Sequence, residues 1–222
     1  MTTAASGDEL LVLTIGQAPR EDLQEELRDV LGAGWPIRVL GALDGMSLDE
    51  IQRLTPHEDA DALHTHLPSG HDVVISKVEV TKRLHQLLVD APSGPVIVAC
   101  TGTFVGLPER PALMYPSAVV RNLIDALLPA GRLGVLVPLQ EQVASFEASW
   151  TTTTRTPTVV SVTPGTSPDA AIEVLRDAEV DLVVLDCFGY SSELLDAIRR
   201  GTGRPVLSAV RSCALIAKEL MS

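Results

Sequence analysis

The stretch Asp181–Tyr190, DLVVLDCFGY, decides the fold. Leu182 to Leu185 form an apolar run without polar alternation, as a strand covered on both faces requires. The run stops at a carboxylate, a thiol and a glycine. Residues 191–201, SSELLDAIRRG, follow at once and read as a helix with a glycine stop. A buried strand feeding a helix is half of a βαβ unit.

The same alternation recurs outward in both directions. Strands are predicted over 10–16, 37–43, 133–139, 156–164 and 204–210, and 95–104 reads as a buried strand followed by a polar, glycine-containing loop. Helices are predicted over 20–32, 47–54, 80–91, 115–131, 141–150, 167–180 and 211–220. Ser47 and Glu50 form a capping box, Ser117 is the expected N-cap of its helix, and Pro168 is expected at the first helical position. Residues 61–76 break the pattern. Two alternating segments flank Pro68-Ser69-Gly70, which predicts a β-hairpin. The first ten residues are small and polar and are expected to fray.

This order implies an α/β fold with mostly parallel sheets, helices on both faces, and ligands at the carboxyl ends of the strands. The chain also reads as two related halves, each opening on an apolar strand and later reaching a strand that ends in Ala-Cys or Asp-Cys. The expected lobes are 1–131, with the hairpin inside it and helix 209–222 packing back on it, and 132–208.

The 222 residues suffice for one large domain or two small lobes, and aromatics make up only 3%, so the core must be aliphatic. A net charge of -12 argues against nucleic-acid binding. The N-terminus carries no basic segment and no long apolar run, so a cytoplasmic protein with no membrane partner is expected. Three cysteines without a Cys-x-x-Cys pair argue against a disulfide framework or a zinc ribbon.

Cys100, in IVACTGTF, is the counterpart of Cys187. Each thiol lies just past a buried strand, and each precedes a glycine by two residues: Gly102 and Gly189. Thr101 and Thr103, and the Phe188–Gly189 backbone, are suited to hold an anion. Two facing thiols suit 1,1-proton transfer: one removes a proton from a carbon acid and the other delivers one to the opposite face. Cys213 sits within a helical pattern and reads as structural. Gly16, Gln17, Pro19 and Arg20 form the loop after the first strand, and Arg20 is a candidate clamp for a carboxylate. Gln140 occupies the corresponding loop of the second half. His64, His66 and His71 in the hairpin lack an evident completing ligand, so no metal is expected. Lys77 follows the hairpin and faces either a cleft or solvent.

ACTGTF and LDCFGY resemble the two cysteine motifs of the aspartate/glutamate/hydantoin racemase superfamily. Within it, the chain resembles the AroM family through TIGQAPR, ISKVEV, YPSAVVRNLIDALL, LGVLVPLQEQ and LDCFGY, over nearly its whole length. The resemblance implies two Rossmann-like or flavodoxin-like lobes with a cleft between them and no cofactor. It also implies a possible homodimer. Cys100 and Cys187 would be catalytic, and the substrate would be a small carboxylate such as an amino acid or hydantoin. Gln17, Pro19, Arg20, Thr101, Gly102, Thr103, Gln140, Phe188, Gly189 and Tyr190 would line its site. Racemases of that superfamily usually follow the first cysteine with asparagine-threonine and the second with threonine-histidine. Here Thr101-Gly102-Thr103 and Phe188-Gly189 stand instead, and Asp186 precedes the second thiol. Two other readings stay open: a non-catalytic carboxylate-binding or accessory protein, and an enzyme of the maleate isomerase or arylmalonate decarboxylase kind.

Overall fold

The computed structural model describes residues 9–58 and 61–222. Most of the N-terminal segment expected to fray lies outside them. Two compact units emerge: one comprises the chain up to Tyr115 together with Ala214–Ser222, the other Pro116–Cys213.

The first unit is built on β1 (Leu10–Thr14), whose five residues are all buried. It pairs in parallel with β2 (Ile37–Gly41) on one side and β5 (Val96–Val98) on the other. The two-residue β6 (Leu113–Met114) extends the sheet, giving the order β2-β1-β5-β6. Strand β6 was not expected, because two residues carry no periodicity. Helix α1 (Glu21–Leu31) buries Leu23, Leu27, Val30 and Leu31, the spacing of one apolar stripe. Helix α2 (Leu48–Gln52) begins with both halves of the Ser47/Glu50 capping box.

The hairpin forms as expected. Strand β3 (Ala62–His66) pairs antiparallel with β4 (Asp72–Ser76), and the inward residues Leu63, Val73 and Ile75 join the core of the first unit. Helix α3 (Lys77–Val89) starts directly at the end of β4, with Ser76 as its N-cap.

The second unit repeats the plan. Strand β7 (Gly131–Val137) pairs in parallel with β8 (Arg155–Ser161) and with β9 (Leu182–Leu185), and β10 (Val206–Ser208) lies outside β9. Its order, β8-β7-β9-β10, matches β2-β1-β5-β6 strand for strand. Helices α5 (Val143–Trp150), α6 (Asp169–Asp177) and α7 (Ser192–Thr202) connect these strands. Ser191 caps α7, and Gly203 ends it at a left-handed φ of 67°.

Three expectations need correction. Helix α4 (Pro116–Leu127) starts one residue before Ser117, which therefore lies inside the helix instead of capping it. Pro168 is the residue before α6, not its first turn. The units also divide at Tyr115 and not at 131. Helix α4 belongs with the second unit because its polar contacts lie there: Arg121 donates to the Ser149 carbonyl, and Asp125 pairs with the buried Arg155. The last helix, α8 (Ala209–Met221), is likewise divided. Its residues from Ala214 on count with the first unit, where Lys218 Nζ donates to the Val30 carbonyl of α1 at 3.0 Å. No helix among the described residues is long and apolar enough to cross a membrane.

Candidate functional site

The two cysteines occupy equivalent positions in the two sheets. Val98, the end of β5, sits opposite Leu13 of β1, and Leu185, the end of β9, sits opposite Leu136 of β7. The next residue makes the same bond in both: Ala99 N–H donates to Leu13 O at 2.8 Å, and Asp186 N–H to Leu136 O at 2.9 Å. Cys100 and Cys187 come one residue later, both half-buried, at the carboxyl edge where parallel sheets bind ligands. Gly102 N–H donates to Cys100 Sγ and Gly189 N–H to Cys187 Sγ, each at 3.3 Å. The segments 98–102 and 185–189 are thus one loop built twice.

They differ in what surrounds the sulfur. Asp186 replaces Ala99 and is buried, accepting a 3.3 Å bond from Trp150 Nε1. Trp150 in turn carries the Arg121 guanidinium 4.2 Å above its ring. Phe188 replaces Thr101 and is buried, so only its backbone can reach a ligand. Thr101 is half-buried and Thr103 exposed. Tyr190 is buried with its hydroxyl donating to Val162 O at 2.8 Å. Burial, followed by the nearby Cys187 and Asp186, pushes its ionisation far above the ordinary range. A pocket of about 290 Å³ opens beside Gly189, Tyr190 and Glu193, closed opposite by Pro164, Gly165 and Thr166. Cys213 is fully buried in α8, which pushes its thiol up to about 12 and leaves it a packing residue.

The loop after β1 is held by its own residues. Gln17 Nε2 donates to the Leu43 and Met46 carbonyls at 3.1 and 2.9 Å, which uses both of its amide hydrogens. Arg20 makes a bidentate pair with Asp22, at 2.8 and 2.6 Å. Burial raises the Asp22 carboxyl, but the bonds and charge of Arg20 hold it below its ordinary value. Arg20 therefore meets any carboxylate ligand with its charge already compensated. Pro19 is exposed and follows a cis peptide bond. Gln140 follows Leu136 by four residues, as Gln17 follows Leu13, and it ties its loop to the end of β8: its Oε1 accepts from Ser161 Oγ at 2.7 Å.

Sequence reasoning missed Asp44, whose two oxygens accept from Ala18 N–H and Gly41 N–H, both at 2.7 Å. The Asp44-Gly45 turn dipeptide was the available signal. The site of the first unit also includes the hairpin. A β-carbon added at Gly16 would lie 2.6 Å from Thr65 Oγ1, and one at Gly102 would lie 3.6 Å from Leu63 Cδ2. The inner face of the hairpin therefore rests on both carboxyl-edge loops of this sheet. Its outer face carries His64 and His66, with Asp72 Oδ1 at 3.6 and 3.1 Å. Among the described residues no group of three or more His, Cys, Asp or Glu side chains is placed to hold a metal ion.

A repeated parallel unit with one Cys-x-Gly loop per sheet is a specific combination, and the family model described as AroM protein matches residues 10–221. The chain belongs to the AroM family. Among solved structures, this AroM family member is similar to an unliganded arylmalonate decarboxylase, with 15% identity and a TM-score of 0.53 over 96% of this chain and 92% of that one. It also matches the maleate isomerase Iso from Pseudomonas putida S16, with 15% identity and a TM-score of 0.47 over 93% of this chain and 90% of that one. At such identity the likeness to the decarboxylase is one of fold. No curated protein matches the chain.

Proposed function

We propose that this AroM family protein is a cofactor-independent isomerase of the racemase or epimerase type, with Cys100 and Cys187 as its acid and base. The observation that carries the reading is the identical placement of the two thiols: same register, same strand end, same N–H donor to sulfur. A thiolate is a stronger acceptor than a thiol, so each glycine N–H favours the charged sulfur.

In the proposed step one thiolate takes the proton from a carbon next to a carboxylate or carbonyl. The electron pair of that C–H bond delocalises into the carbonyl group as an enolate-like anion. The other thiol then protonates the carbon from the opposite face and is left as thiolate, so the two sulfurs exchange roles with each turnover. Thr101 and Thr103 supply donors for the developing charge. Gln17, Arg20 and Gln140 act on this reading as braces of the surrounding loops. The fold shared with an arylmalonate decarboxylase is compatible with this reading.

A second reading, carboxylate binding without catalysis, is favoured by Asp186 and Phe188, which replace small or donor groups around the second thiol. One experiment separates the two. Purified protein is incubated in deuterated water with amino acids, hydantoins and small dicarboxylic acids, and deuterium at the reacting carbon is read by mass spectrometry. Exchange is expected, and Cys100→Ala and Cys187→Ala should each lower it by about 10²–10⁴-fold. Ligand binding without exchange would favour the second reading, and exchange undiminished from wild type in both variants would remove the cysteines from the mechanism.

A further inference from the structure

The first unit holds a cavity of its own, which adjoins the cysteine loop through Thr103. It has a volume of about 720 Å³ and lies between α3 and residues 103–106. Its floor is the stripe Lys77, Val78, Thr81, Lys82 and His85, and its far wall is Thr103, Val105 and Gly106. Small-molecule sites fall in this size range and combine apolar walls with a few polar anchors. Two valines line it while being half or more exposed: Val78 at 50% and Val105 at 86%.

The charge of the lining is the opposite of the charge of the chain. Acidic residues outnumber basic ones 29 to 17 in the sequence, yet the cavity is lined by two lysines and a histidine and by no carboxylate. The three lysines also differ in their partners. Lys82 pairs with Glu79 at 2.6 Å, and Lys218 donates to a backbone carbonyl. Lys77 is half-buried, and its side chain makes no hydrogen bond or ion pair among the described residues. Its carbonyl accepts from Thr81 Oγ1 at 2.7 Å, which fastens the first turn of the helix beneath it. His85 closes the far end. Its Nδ1 lies 3.1 Å from Gly106 O, and since a carbonyl only accepts, Nδ1 carries the hydrogen. This bond ties the third turn of α3 to the loop that continues from Cys100.

We infer that this cavity binds an amphipathic organic carboxylate, with Lys77 taking the carboxylate and Val78 and Val105 covering an apolar body. A lysine side chain without a counter-ion, beside two exposed valines, is stabilised by an anion that brings its own apolar surface, which also dries the two valines. Neither a neutral apolar ligand nor a small hydrophilic anion satisfies both halves of the site. The inference does not depend on the cysteines being catalytic.

The test uses full-length, isotope-labelled protein and three probes: octanoate, 1-octanol and acetate. Octanoate is expected to shift backbone amides of α3 and of residues 103–106 in a saturable way, while the other two probes bind at least tenfold more weakly. Lys77→Met should weaken octanoate about ten- to hundredfold, the usual range for losing one charge-assisted bond. Val105→Asp should abolish saturable binding. Both positions are exposed or half-buried, and an unchanged amide spectrum elsewhere verifies that each variant folds. Equal binding of octanol, undiminished affinity in Lys77→Met, or shifts confined to other parts of the chain would each overturn the assignment.

Discussion

At the scale of single residues, the two Cys-x-Gly loops are alike in hydrogen bonding but not in spare room. A β-carbon at Gly102 would stand 3.2 Å from Cys100 Sγ, while one at Gly189 would stand 3.7 Å from Cys187 Sγ. The first is tighter than an ordinary contact and the second is ordinary. Gly102→Ala should therefore displace its sulfur and change the rate of Cys100 alkylation, whereas Gly189→Ala should leave Cys187 nearly as reactive. Peptide mapping after a timed iodoacetamide pulse reads both. The same experiment tests Cys213, whose thiol burial pushes up to about 12. It should stay unmodified in the native protein at pH 8 and react only after unfolding. Gly41 is the residue with least freedom to change. Its β-carbon would meet the Gly16 carbonyl oxygen at 2.6 Å and Gln17 Cα at 2.7 Å, both backbone, which cannot move aside cheaply. Gly41→Ala should cost about 1–3 kcal/mol in a denaturant titration.

At the scale of elements, the hairpin and α3 are joined through one carboxylate. Asp61 Oδ1 accepts from Val78 N–H at 2.9 Å, and Oδ2 from His57 N–H at 3.2 Å. The Val78 bond, with help from Ser76 and His57, holds this carboxyl below its ordinary value of 3.8 despite burial. Its stabilising contribution is then fully present above that pH and fades as pH falls through the lower folded value. Asp61→Asn should remove that part of the acid sensitivity, so variant and wild type should converge in stability at the acid end of a pH series. Convergence at neutral pH instead would contradict it. This link was not readable from the sequence, because Asp61 is far in sequence from the helix turn it caps. Much else was readable. The buried runs 10–14 and 182–185 announce central strands because parallel sheets are covered on both faces. The hairpin was legible from its alternation and its Pro-Ser-Gly turn. Strand β6 was too short to leave a pattern, and Ser117 misled because Pro116 fits the first turn of a helix as well. The cysteines were legible as a pair through their glycines. The bracing roles of Gln17, Gln140 and Asp22 were not, since a polar side chain does not declare its partner.

At the scale of the whole molecule, the closing helices are distributed unevenly along the chain. Helix α4 follows the last strand of the first sheet yet counts with the second unit, and the end of α8 follows the last strand of the second sheet yet counts with the first. Ala214 and Ala217 are fully buried there, and Lys218 caps the Val30 carbonyl. Truncation after Cys213 should therefore loosen the first unit, although the cut is made nearly a hundred residues downstream of it. Hydrogen exchange should show lost protection in α1, β1 and β2 with β7 and β9 still protected. Loss confined to the second unit would refute this. The matching strand orders, each ending in one Cys-x-Gly loop, are the pattern that a tandem duplication would leave. A duplication of that kind would give one chain two copies of the loop, free to diverge separately, and Asp186 and Phe188 against Ala99 and Thr101 are where the two now differ.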